Sequence, residues 1–228
     1  MTAARFSRFT PKALSFLRAL KRHNDREWFR ARKEQYDLLL RAPMIDLIGR
    51  LAEDFQTIAP DLVATPKVSL YRIYRDTRFS DNKAPLKTHI AAVFPRRGLA
   101  KHQGAGLYLE VTPGWVWVGG GMYAPETSQI HAVREHIAAN WRRLRTIVES
   151  PGFKRSVGAL SGEQLQRVPR GFPKDHQAGE YLKYRQFLAG REFPAAFATS
   201  PKFYHGVIGV FRQVAPLIAF LNEPLIGG

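Results

Sequence analysis

The sequence predicts an α+β protein, with a mostly antiparallel central sheet over about residues 68–122 packed against N-terminal and C-terminal helices. Three observations carry that expectation. Apolar residues recur at steps of three and four from 10 to 60 and again from 126 to 222. Between those stretches the period moves toward two. No internal repeat, low-complexity tract or long linker divides the chain, so one domain is expected across residues 1–228.

Thr10-Pro11 opens the first helix, with Thr as cap and Pro where no amide needs a partner. Ala13, Phe16, Leu17 and Leu20 give it one apolar stripe. Asp25 can cap a second, long helix, along which Tyr36, Leu40, Met44, Leu47, Leu51, Phe55 and Ile58 form a core-facing seam. Pro43 falls inside it and predicts a kink or break. Trp28 and Phe29 near its start read as core.

Residues 70–74 and 88–94 read as strands. The clearest hairpin joins 105–111 to 115–118 through Thr112-Pro113-Gly114, with Gly114 expected at positive φ. A two-residue loop pairs Leu109 with Val118 and Val111 with Val116, leaving Tyr108, Glu110, Trp115 and Trp117 together on the other face. Gly119-Gly120-Gly121 can offer amides to an anion or mark a bulge or strand exit. It has neither the lysine of a Walker loop nor dinucleotide-fingerprint spacing.

A helix is expected over 126–149, its outer face carrying Arg134, Arg142, Arg143 and Arg145 as a solvated charge run. Ser161-Gly162-Glu163-Gln164 has the form of a capping box and predicts a short helix. Another is expected over 180–188, stopping at Gly190. Ser200-Pro201 opens the closing helix, which runs to about Leu221.

The 228 residues carry 35 Lys and Arg against 19 Asp and Glu, a formal charge of +16. Such an excess favours anionic partners, nucleic acid or phosphorylated metabolites among them. It also fits a solubilising surface. There are no cysteines, so disulfides, thiol nucleophiles and Cys-based metal sites are excluded. The opening MTAARFSRFTPK has no signal-like apolar run, and no stretch of about 18 apolar residues occurs. The expectation is a cytoplasmic protein without a membrane span.

The charge concentrates in one segment. Between residues 69 and 101 lie eight basic residues against two acidic ones. The stretch 69–89, SLYRIYRDTRFSDNKAPLKTH, holds Arg72, Arg75, Asp76, Arg78, Asp81, Lys83, Lys87 and His89. Arginine supplies a planar fork of donors for phosphate or carboxylate, and lysine a point charge. Asp76 and Asp81 can orient these cations. Asp76, His89 and Glu110 are the candidate acid–base groups, since His titrates near neutrality. Read instead as a surface hairpin, the same Arg–Asp pairs would merely brace turns.

The stretches FTPKALSFLRALKRHNDREWFRARKEQYD, RIYRDTRFSDNKAPLKTH and GGGMYAP resemble the mainly bacterial family known as domain of unknown function 2461, from about Phe6 to about Pro224. The resemblance implies family positions at Arg72, Tyr74, Arg75, Asp76, Arg78, Phe79, Ser80, Lys83, Pro85, Lys87 and Thr88, and at Gly120, Gly121 and Pro125. Leu86 stands where relatives often have an aromatic residue. The resemblance implies where a site lies and leaves its chemistry open.

The ligand-binding set expected from residues and resemblance together is Arg72, Tyr74, Arg75, Asp76, Arg78, Ser80, Lys83, Lys87, Gly120 and Gly121. Its first reading is a basic site for a phosphate-bearing or other anionic ligand, nucleic acid in particular, with Tyr108, Trp115 or Trp117 stacking on bases. The alternatives are an enzyme acting on a small phosphorylated substrate and a non-catalytic interaction protein with a basic surface. No catalytic triad or metal-ligand spacing stands out; His131 and His136 are five apart, a poor fit to one helix face. No cofactor or metal is expected.

Overall fold

The computed structural model describes residues 8–78 and 80–226. Phe79 of the basic motif, and residues 1–7, where the start of the resemblance and part of the expectation about a signal segment fall, lie outside them. Helix α1 (Pro11–Arg22) begins at Thr10 and buries Ala13, Leu14, Phe16, Leu17 and Leu20. Asp25 caps α2 (Arg26–Arg30) by accepting the Trp28 N–H at 2.7 Å. Phe29 is buried, whereas Trp28 is half-exposed, with His23 stacked on it and Arg32 over its ring.

The long second helix is instead four pieces: α2, α3 (Lys33–Tyr36), a π-helical turn over Asp37–Arg41, and α4 (Ala42–Ile58). Pro43 explains the last junction. It has no N–H to give the preceding turn and its ring crowds the carbonyl four residues back, so the chain widens just upstream.

Thr65 caps the single turn α5 (Pro66–Ser69). The sheet is four-stranded and antiparallel in the order β1 (Ile90–Phe94), β2 (Gly106–Val111), β3 (Trp115–Met122), β4 (Phe187–Pro194). The β2–β3 register is the expected one, with Leu109 opposite Val118 and Val111 opposite Val116. Gly114 does not take positive φ. The Thr112 hydroxyl closes the turn instead, accepting the Gly114 N–H at 3.2 Å and the Trp115 N–H at 2.9 Å.

Three expectations are corrected. Residues 70–74 form isolated bridges, Leu70 to Ala92 and Tyr74 to Leu86, rather than a strand. Residues 161–164 form no helix; Ser161 pairs with Leu188 and Gln164 with Tyr184. Only α8 (Gly179–Leu182) of the 180–188 stretch is helical, and the chain then enters β4. This fourth strand is possible because the glycines of β3 let a backbone lie close. At Gly121, where φ is +144°, a Cβ would overlap the Phe187 carbonyl oxygen.

Between β3 and β4 run α6 (Thr127–Val148), which starts with Gln129 Oε1 accepting the Glu126 N–H at 3.0 Å, and α7 (Pro151–Val157). Helix α9 (Phe203–Asn222) closes the fold against one face of the sheet. That face presents Leu107, Leu109, Val111, Val116 and Val118, all fully buried. Phe55, Phe94 and Phe211 meet edge-on at 5.1–6.0 Å, each pair adding about 0.5–1.5 kcal/mol beyond burial. By length and composition alone α9 and its extension to Leu225 would also cross a bilayer, with a mean hydropathy of 1.3. Here 61% of that stretch is covered by the rest of the molecule.

Candidate functional site

A strand with one face in the core exposes its alternate residues on the other. In β2 and β3 those are Tyr108, Glu110, Trp115 and Trp117, and α9 covers only the opposite face. They line a cleft of about 700 Å3, closed at its sides by Tyr71, the turn Lys101-His102, and Tyr123, with Gly120 and Gly121 also in its lining. The Tyr108 and Trp117 rings lie 5.9 Å apart, and Tyr71 meets Tyr108 edge-on at 6.3 Å and stacks with His102 at 5.9 Å. Trp117 lies flat over β4 because residue 190 is glycine; a Cβ there would overlap the indole.

Tyr71 holds two cations. Lys87 Nζ lies 4.4 Å and Lys101 Nζ 4.2 Å from its ring centre. Lys101 also donates to the Leu70 carbonyl at 3.4 Å. Among the described residues neither ammonium has a carboxylate within 4 Å. Burial lowers the pKa of Lys87, and Arg72 lowers it further; burial and then Lys87 do the same to Lys101. Glu110, which lines the cleft, opposes the shift at Lys87.

Beside it runs a short polar chain. The Tyr108 hydroxyl donates to Glu110 Oε2 at 2.8 Å, and His89 Nδ1 lies 3.1 Å from Glu110 Oε1. Burial, reinforced by Glu110, raises the Tyr108 pKa far above its ordinary value. Burial also lowers the His89 pKa, opposed by Glu110 and aided by Lys87 and Arg75. A neutral imidazole with one nitrogen directed at a carboxylate can serve as a base through the other.

The expected site residues divide. Gly120, Gly121 and Glu110 line the cleft, Lys87 and His89 stand behind that lining against Tyr71 and Glu110, and Arg72 is close enough to perturb Lys87. The remainder build the neighbouring loop. Arg75 donates to the Ala84 carbonyl and the Ser80 hydroxyl, both at 3.3 Å. Arg78 forks onto Asp76 at 3.1 and 2.8 Å, which with its backbone N–H holds the Asp76 carboxyl at about 2. Lys83 Nζ donates to the Thr77 carbonyl at 3.1 Å, and Tyr74 packs edge-on against Phe29 at 5.9 Å. Arg75, Asp76, Ser80 and Lys83 therefore hold the loop in shape, while Lys87 reaches the Tyr71 ring in the cleft wall.

Sequence reasoning left Tyr71, His102 and Tyr123 out of the site, and Lys101 entered only in the charge count of 69–101. The available signal was the polar turn Lys101-His102-Gln103-Gly104 directly ahead of β2. Arg134, expected in solvent, turns inward to donate to the Leu182 and Tyr184 carbonyls at 3.0 and 2.9 Å. Among the described residues no three His, Asp or Glu side chains converge as metal ligands.

Fold and site together define an α+β domain with an aromatic, lysine-edged cleft on the open face of an antiparallel sheet. Residues 12–220 match a family described as conserved hypothetical protein (DUF2461), and the chain belongs to that family. No curated protein and no solved structure matches it.

Proposed function

We propose that the cleft binds a phosphate-bearing ligand with a planar ring, a nucleotide in the first instance. The observation that carries this is the pair Lys87 and Lys101, both against the Tyr71 ring and, among the described residues, neither with a carboxylate within 4 Å. Two half-buried ammonium groups, Lys87 lowered in pKa by burial and then Arg72, and Lys101 by burial and then Lys87, gain from an incoming dianion. Tyr108, Trp115 and Trp117 supply flat apolar surface on which a base can stack at about 1–3 kcal/mol. The net charge of +16 draws the same class of ligand.

The test is titration with adenosine monophosphate, read by quenching of tryptophan fluorescence. Saturable quenching that weakens with salt and is lost in Lys87→Met with Lys101→Met supports the reading. If adenosine binds as tightly as its monophosphate, the phosphate has no role and the reading fails.

A second reading, an enzyme acting on a small phosphorylated substrate, rests on the His89–Glu110–Tyr108 chain. His89 would act as general base and Glu110 would orient it. Turnover of a phosphoester panel that follows one ionisation and disappears in His89→Gln would favour it. Turnover at background across the panel would end it.

A further inference from the structure

A smaller recess of about 270 Å3 adjoins the cleft, and Tyr123 and Ala124 line both. The two share a further wall. The stretch 161–165 is laced to 183–188, with the Ser161 N–H donating to Leu188, Leu165 to Lys183 and Arg185 to Glu163 at 2.7–2.8 Å. Ser161 and Leu188 face the large cleft, while Glu163, Leu165, Arg185 and Gln186 face the small one. The cavities are therefore successive chambers along one ribbon, with Tyr123 on the ridge between them. Tyr123 is 71% exposed, high for a tyrosine.

The far chamber is also cationic. Arg134 spends Nε and Nη2 on carbonyls. Arg185 stands 3.6 Å from Glu163, beyond hydrogen-bond length, with both side chains more than 60% exposed. Such a pair is weak and exchanges readily for a better anion. Burial and the neighbouring Arg185 lower the Arg134 pKa, so positive charge is crowded at this end too.

Resting on the proposed nucleotide cleft, we infer that the two chambers form a track for single-stranded nucleic acid. One base lies among Tyr71, Tyr108 and Trp117, the next stacks on Tyr123, and the phosphate beyond it meets Arg185. Aromatic faces interleaved with cations along a groove are what a flexible anionic chain of stacked bases requires. A double helix cannot present its bases to such a cleft.

The experiment compares thymidine mono-, di- and tetranucleotides at low salt by calorimetry on the full chain. The tetranucleotide is expected to bind at least about tenfold more tightly than the mononucleotide. In Arg185→Gln and in Tyr123→Ala the ratio of the two affinities should fall toward one. Equal affinity at all lengths overturns the track while leaving the cleft. A heparin oligosaccharide binding as tightly as the tetranucleotide overturns it as well, since charge alone would then suffice. Absence of binding at every length overturns the cleft and the track together. Circular dichroism of both variants guards against misfolding, and exposed Arg185 gives the safer of the two substitutions.

Discussion

Asn24 pairs with Leu86 as a β-strand residue would. The Leu86 N–H donates to Asn24 Oδ1 at 3.0 Å, and Asn24 Nδ2 donates to the Leu86 carbonyl at 2.9 Å. On its other side the same segment bonds to residues 73–75, with the Lys87 N–H on Ile73 and the Arg75 N–H on Pro85. The clasp fixes the backbone one residue before Lys87. Asn24→Ala leaves two half-buried backbone groups unpaired and should destabilise the fold by about 1–3 kcal/mol. It should also weaken nucleotide binding several-fold; urea denaturation and fluorescence titration read the two effects separately.

Lys87→Met and Lys101→Met should each reduce nucleotide affinity by about tenfold and lower the salt slope by about one. Lys83→Met, which removes a contact to the Thr77 carbonyl within its own loop, should leave affinity within about twofold of the parent. Because both cleft lysines have lowered pKa values, binding should begin to weaken with rising pH below the ordinary lysine range. An incoming phosphate favours the charged forms, so calorimetry in buffers of differing ionisation heat should register proton uptake.

His89 makes stability depend on pH. Its folded pKa lies below the unfolded 6.5, so the unfolded chain takes up the proton first. The contribution is complete above the unfolded value and is lost as pH falls from there through the folded one. The slope from this group is at most about 1.4 kcal/mol per pH unit. His89→Gln should flatten the melting-temperature profile in that window, and an unchanged profile would place the sensitivity elsewhere.

Gly190→Ala puts a methyl group into the Trp117 indole. The ring or the strand must move, at about 1–3 kcal/mol. The tryptophan emission should shift and nucleotide quenching weaken, because the displaced ring is part of the cleft. Gly209→Ala, where a Cβ meets nothing within 4 Å, is the helical control and should leave both signals unchanged.

The long helices and the β2–β3 hairpin were legible because their signals are local, whereas the short helices α5 and α7 and the π-helical turn at Asp37–Arg41 were not. Alternation along 107–111 and 116–118 fixed the register, and periodic apolar stripes marked α1, α4, α6 and α9. Strand β4 was not legible. Tyr181, Leu182, Tyr184, Phe187 and Leu188 mimic a helical stripe, and what makes 187–194 extended is a partner strand far back in the chain. The site was legible in part for the same reason. The charge run of 69–89 is contiguous and drew attention to itself, yet Arg75, Asp76, Ser80 and Lys83 are occupied within their own loop. Lys87, His89 and Glu110 converge with Tyr71 and Lys101 only once three separate segments meet over the sheet.

The pairing of β3 with β4 also sets an order of assembly. As the chain leaves the ribosome, β1 to β3 can zip together early, but β4 arrives only after α6 to α8 have been made. Until then β3 is an unprotected edge, with three glycines and two tryptophans of its own, and open to pairing with another copy. The wall of Ser161 and Leu188 arrives at the same late stage. A chain halted before residue 187 would hold the whole aromatic face yet lack the Leu188 side of the cleft, with β3 still an open edge.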